Sequence, residues 1–117
     1  YPCDHFVYPE YLLGNIRETD IKTLMQSQKQ TDFGLDKRSA LPTKCARCKY
    51  LFACNGECPK HRFNRTENGE TGLNALCMGY FKFFDHVAPY MDTMKSLLQE
   101  KRAPAEIMPM IKLGLIR

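Results

Sequence analysis

The sequence predicts a small, mainly α domain with a short N-terminal β-hairpin and an irregular, cysteine-rich, metal-binding loop. Three observations lead there. Four of the six cysteines fall in "KCARCKYLFACNGECPKHRF", residues 44–63. The longest apolar periodicity, in "LNALCMGYFKFFDHVAPYMDTMKSLLQEK", has the helical period. The first sixteen residues are rich in aromatic and branched side chains around Pro9 and Gly14.

Composition narrows the class. A chain of 117 residues is one domain at most, or a piece of a larger one. Apolar residues at 44% and charged residues at 26% are ordinary for a globular protein. No apolar run approaches the ~18 residues of a membrane span, so no membrane partner is expected. The net charge of +4 is modest. A nucleic-acid binder of this size is usually more basic, so no nucleic-acid partner is expected either. Tyr1 is not an initiator methionine, and "YPC" reads as the interior of a longer chain.

Along the chain, "YPCDHFVYPEYLLGNI" places aromatic and branched residues on both sides of a Pro9-Glu10 turn and predicts a hairpin over 1–16. Thr19 is the expected N-cap of a helix over 20–33, where Ile21, Leu24, Met25 and Gln28 share a face. Gly34 and Pro42 close that region and lead into a cysteine loop over 44–63. Within it, Gly56 lets the backbone approach a bound group closely. "NRTENGETG" is polar and expected to be exposed. A long helix over 74–101 follows, with Tyr80, Phe84, Val87, Met91, Met94 and Leu98 forming its apolar stripe. Pro89 should bend that helix or break its ladder. Pro104 and Pro109 reduce residues 102–117 to a tail.

The cysteines carry the chemistry. Disulfides need an oxidising compartment, and disulfide scaffolds more often spread their cysteines across strands. Here Cys45, Cys48, Cys54 and Cys58 read C-x2-C-x5-C-x3-C, with Cys3 and Cys77 apart. Two thiolates separated by two residues reach one metal from a tight turn, so metal is preferred. Zinc favours paired C-x2-C knuckles. Iron–sulfur sites interleave ligands, and the proline after Cys58 matches the C-P ending of ferredoxin runs. Spacing alone leaves zinc and iron–sulfur open.

Other residues have competing uses. The aromatic group Tyr80, Phe81, Phe83 and Phe84 reads as core and shielding rather than a base-stacking platform. Lys60, His61, Arg62 and Arg65 form a solvated basic face, a counterweight to a negatively charged site, or a surface that meets a partner. Asn64-Arg65-Thr66 matches a glycosylation acceptor too short to carry weight. Asp4 reads on its own as a turn-capping carboxylate.

Taken together, "YPCD", "LGNI", "CARCKYLFACNGECPKHRF" and "LCMGYFKFF" resemble the C-terminal auxiliary-cluster (SPASM) domain of the anaerobic sulfatase-maturating enzymes. The resemblance covers essentially the whole chain, least of all its last dozen residues. It implies two 4Fe–4S clusters in the domain. Cys45, Cys48, Cys54 and Cys77 would complete one. Cys3 and Cys58 would supply half of the other, whose remaining ligands lie upstream in the family. An S-adenosylmethionine-binding barrel with a third 4Fe–4S cluster is implied outside this chain, so the 117 residues are expected to be inactive alone. In an isolated piece prepared in air, zinc can take the complete site.

The resemblance also implies an activity. In the family a 5′-deoxyadenosyl radical takes hydrogen from Cβ of a cysteine or serine in an unfolded sulfatase segment. A base accepts the thiol or hydroxyl proton, an electron leaves, and hydrolysis of the thioaldehyde, or direct release of the aldehyde, gives formylglycine. The residue after the cysteine of "YPCD", here Asp4, matches the family's proton acceptor. A reducing electron donor and a cytoplasmic location are implied with it. Two other readings fit the residues: the same domain in a different peptide-modifying radical enzyme, and a zinc-binding interaction module.

Overall fold

The fold is a computed structural model that describes residues 1–116. It is mainly helical, with a single two-stranded antiparallel hairpin among the described residues. Two compact units divide the chain, Tyr1–Cys77 and Met78–Arg117.

The hairpin is not where the sequence places it. Residues 1–16 contain no strand and form turns and a short 3-10 segment, Pro9–Tyr11. Pro9 at the first position of that segment presets its backbone angle and removes a donor that a strand ladder would need. Phe6 and Tyr11 instead stack edge-on with each other and with Phe33, with ring centroids 5.0 to 5.8 Å apart. The strands are β1 (Asn64–Arg65) and β2 (Thr71–Leu73), in the polar stretch expected to be exposed and its first following residue. Asn68-Gly69 is the turn signal there, with Gly69 at a φ of 83°. Thr66 closes the turn by donating its N–H to Glu70 O at 2.9 Å and accepting from Glu70 N at 3.1 Å.

The single helix expected over 20–33 is two helices. Asp20, not Thr19, caps α1 (Ile21–Met25), its carboxylate accepting from Lys22 N and Thr23 N. Ser27 then ends one helix and starts the next. Its hydroxyl donates to Leu24 O at 2.8 Å and accepts from Gln30 N at 3.3 Å. A serine that binds backbone on both sides offers an alternative to the continuous helical ladder. The second helix, α2 (Gln28–Ser39), runs through Gly34 rather than stopping there.

The cysteine region is built of short pieces: α3 (Thr43–Ala46), α4 (Leu51–Cys54) and a 3-10 turn, Pro59–His61. The buried side chains of this unit are few, chiefly Leu24, Cys45, Tyr50 and Leu73 with polar Thr66 and Asn74.

The second unit continues α5 (Cys77–Gln99), which passes through Pro89 without interruption, followed by α6 (Ile107–Lys112). Leu97 and Ile107 are its buried residues. Of the expected stripe, Tyr80, Phe84, Val87 and Met94 are half-buried, and the departures are at Met91 and Leu98. Leu97 rather than Leu98 is buried, and Tyr90 rather than Met91 is half-buried, with Met91 and Leu98 more than half exposed. Arg102 returns the chain by pairing with Glu106 at 2.6 Å. No described helix is long and apolar enough to cross a membrane.

Candidate metal centre

All six cysteines are free thiols. Short-range backbone geometry sets four of them in the first unit. In α3, Cys45 is buried, and its carbonyl accepts from Cys48 N at 3.1 Å, turning the chain so that both thiols of the C-x2-C pair serve one region. Tyr50 N then points at the Cys48 sulfur at 3.5 Å. Such an N–H stabilises negative charge on a sulfur ligand. Cys54 ends α4, and Cys77 opens α5.

Electrostatics tie these four together. Burial raises the Cys45 thiol above its ordinary value, and the Cys77, Cys54 and Cys48 thiolates add to that rise. Burial likewise raises Cys77, opposed by Lys44 and reinforced by Cys54 and Cys48. Lys44 is itself held by Glu67 at 2.8 Å.

Cys3 and Cys58 belong to a second group. With His5, Cys54, Glu57 and Arg62 they line an open cleft of about 420 Å³. His5 Nδ1 lies 3.3 Å from the Cys58 sulfur. Asp4 sits in the turn that Phe6 N closes onto Cys3 O at 3.3 Å, and its side chain is exposed. Among the described residues that side chain makes no recorded hydrogen bond, so the turn-capping role has no contact behind it.

Between the two groups lies the turn that sequence reasoning noticed only at its glycine. Asn55, Gly56 and Glu57 are all left-handed, at φ 46°, 72° and 53°. Two non-glycine residues in that region each cost about 1–2 kcal/mol, so something must hold them there. Arg62 does so by donating to Asn55 O, Gly56 O and Glu57 O at 3.1, 3.0 and 2.7 Å, and to Lys37 O at 2.7 Å. Burial lowers the Arg62 guanidinium, while the Cys45, Cys58 and Cys54 thiolates pull it back up.

A second tie fixes the entry of Cys77. Buried Asn74 donates to Glu57 Oε2 at 2.7 Å and accepts from Leu76 N at 2.7 Å, and His61 Nδ1 meets the same Glu57 oxygen at 2.8 Å. Burial pushes the Glu57 carboxyl up, but the hydrogen bonds from His61 and Asn74 hold it below the ordinary range. The basic group read from the sequence is thus dispersed. Lys60 reaches Tyr8, His61 reaches Glu57, Arg62 binds carbonyls, and Arg65 donates to Gly69 O. Glu57 and Asn74 were not legible as site residues, because their roles depend on each other across 17 positions.

Among the described residues, no three His, Cys, Asp or Glu side chains are gathered tightly enough to ligate a metal ion. Four thiolates on one tetrahedral zinc stand ~3.8 Å apart, given a Zn–S distance of ~2.3 Å. Cluster ligands each hold a different iron and stand farther apart. The Tyr50 N–H at the Cys48 sulfur and the half-buried Arg62 guanidinium suit a negatively charged thiolate site.

Comparison with known proteins agrees with that chemistry. Residues 1–49 match the SPASM iron–sulfur cluster-binding domain model. The chain is 56% identical over all 117 residues to a serine-type anaerobic sulfatase-maturating enzyme of Bacteroides thetaiotaomicron, 28% of whose length it covers. It is 32% identical over 89 residues to a cysteine-type enzyme of Clostridium perfringens, spanning 76% of this chain and 24% of that protein. A serine-type enzyme of Klebsiella pneumoniae is 34% identical over 90 residues, 76% of this chain and 21% of its own length. The chain spans about a quarter of the length of these relatives. No solved structure gives a significant match. The match to that domain model over residues 1–49, with 56% identity over all 117 residues to a sulfatase-maturating enzyme, places the chain in the SPASM family of iron–sulfur cluster-binding domains.

Proposed function

We propose that this chain is the auxiliary-cluster part of a radical enzyme that converts a sulfatase serine or cysteine to formylglycine without oxygen. The observation that carries the reading is the 56% identity over the whole chain to a serine-type maturase. That relative favours serine as the residue oxidised.

In this reading Cys45, Cys48, Cys54 and Cys77 hold one 4Fe–4S cluster, which their mutual electrostatic influence supports. Cys3 and Cys58 hold half of a second, in the cleft they share, with the other ligands outside these residues. Clusters bound there would supply a one-electron acceptor. The chain's own residues do the rest. Tyr50 N–H and Arg62 offset negative charge on the sulfurs, and the Asn74–Glu57–His61 bonds hold the two cysteine segments in register. Asp4, exposed beside Cys3 and without a side-chain hydrogen bond among the described residues, accepts the substrate hydroxyl or thiol proton. S-adenosylmethionine, a third cluster and the barrel holding them belong to the remainder of the enzyme. So do the contacts with a reducing electron donor, and the site of action is the cytoplasm.

The test is anaerobic reconstitution of the full-length protein with iron, sulfide and S-adenosylmethionine, followed by incubation with two sulfatase peptides differing only in Ser or Cys. Formylglycine in the serine peptide, detected by mass spectrometry, is the expected result. A colourless protein that retains zinc, or cofactor cleavage with neither peptide changed, would overturn the reading.

A further inference from the structure

We infer that Arg62 is a positioning residue shared by both cysteine groups: it fixes the turn that joins them and holds one positive charge against each. The inference rests on the iron–sulfur reading above and assigns to this side chain the spacing and the relative electron affinity of the two centres.

The geometry begins with the covalent link. Cys54 belongs to the four-thiol group and Cys58 to the cleft group, and only residues 55–57 separate them. No other pair of cysteines from the two groups is so close in sequence, so the shape of this turn sets how the groups stand to one another. Three successive left-handed residues aim their carbonyls the same way, an arrangement that a cation can stabilise. The planar guanidinium fork of Arg62 takes all three, and its remaining nitrogen ties the turn to Lys37 O at the end of α2. A lysine ammonium is compact and has three donors, so it could not span four carbonyls in this layout. Gly56 leaves the space this needs. A methyl group there would come within 3.1 Å of Arg62 Nη2.

Charge follows from the same placement. The half-buried guanidinium lines the cleft with Cys3, Cys54 and Cys58, and it also interacts with the Cys45 thiolate. A fixed positive charge favours the reduced, more negative state of any iron–sulfur centre beside it. It is screened less here than on the open surface. Because it faces both groups, its removal should shift both centres in the same direction.

The experiment uses the full-length protein with its clusters, as wild type, Arg62→Gln and Arg62→Lys. Iron and sulfide content, an EPR-monitored redox titration of the auxiliary centres, and amide hydrogen exchange over residues 54–58 are read for each. Arg62→Gln should lower both potentials. At a fixed poise the reduced-to-oxidised ratio of each centre should fall on the order of tenfold, which is ~59 mV for one electron. Arg62→Lys should keep potentials close to wild type while exchange across 54–58 accelerates, separating charge from fork. Unchanged potentials in Arg62→Gln overturn the inference. If that variant fails to hold iron, Arg62→Lys decides: wild-type exchange over 54–58 overturns the inference, and faster exchange at wild-type potential supports it. A wild-type protein without clusters at these cysteines refutes the underlying functional reading, and this inference with it. That failure is distinguishable because it appears before any substitution is made.

Discussion

Substituting Gly56 by alanine probes the turn between Cys54 and Cys58 at its tightest point. Gly56 is buried with φ at +72°, and an added Cβ would lie 2.2 Å from Leu41 Cδ2. The left-handed backbone costs an alanine about 1–2 kcal/mol. Leu41 Cδ2 is the end of a flexible side chain, so it can swing aside at about 0.5–1.5 kcal/mol for an off-rotamer position. Reduced freedom of the unfolded chain returns ~0.4–1 kcal/mol. The net expectation is a loss of about 0.5–3 kcal/mol. Gly34→Ala is the matched control. It lies inside α2, an added Cβ meets nothing within 4 Å, and it should stabilise by up to ~1 kcal/mol through helix propensity. Urea unfolding of the two variants beside wild type measures both midpoints under one protocol. Iron content of Gly56→Ala, expected to fall, reports whether the turn also positions the thiols. If Gly56→Ala proved as stable as Gly34→Ala, the strained-turn account would be wrong.

Three further outcomes are expected. Asp4→Asn in the full-length enzyme should retain iron and cleave S-adenosylmethionine but lose formylglycine yield by a factor of about 100 to 10,000, as for removal of a general base. A near-normal yield with intact clusters would return Asp4 to a structural role. Asn74→Ala removes both bonds of a side chain only 3% exposed and should cost about 1–3 kcal/mol. A change within ~0.5 kcal/mol by urea denaturation would contradict the tie to Glu57. In the cluster-free protein, the raised Cys45 and Cys77 thiols stay neutral in the folded state to higher pH than in the unfolded state. Their stabilising contribution is therefore complete below the unfolded thiol value of ~8.5 and is lost as pH rises through the raised folded value. Stability at pH 10 relative to pH 7 should recover in a Cys45→Ser/Cys77→Ser double variant, and an identical slope would refute the assignment.

What the sequence by itself determined is the local chemistry and its family. The C-x2-C-x5-C-x3-C spacing and the long helical period after Cys77 are properties of neighbouring residues, so they can be read without a fold. The resemblance carried by "YPCD" and "CPKHRF" pointed to the same family as the later comparison. Local pattern misled where one polar side chain outweighed it. Ser27 cuts a continuous amphipathic pattern into α1 and α2, and the Asn68-Gly69 turn makes a hairpin in a stretch legible only as polar and exposed. Pro9 and the packing of Phe6 and Tyr11 on Phe33 leave the aromatic N-terminus without strands. Only the tertiary structure could reveal that Arg62 gathers four carbonyls, that Asn74 and Glu57 share a hydrogen bond, and that His5 meets Cys58 across 53 positions. These contacts join segments distant in sequence, and each stabilises only because the others have already brought its partner within reach.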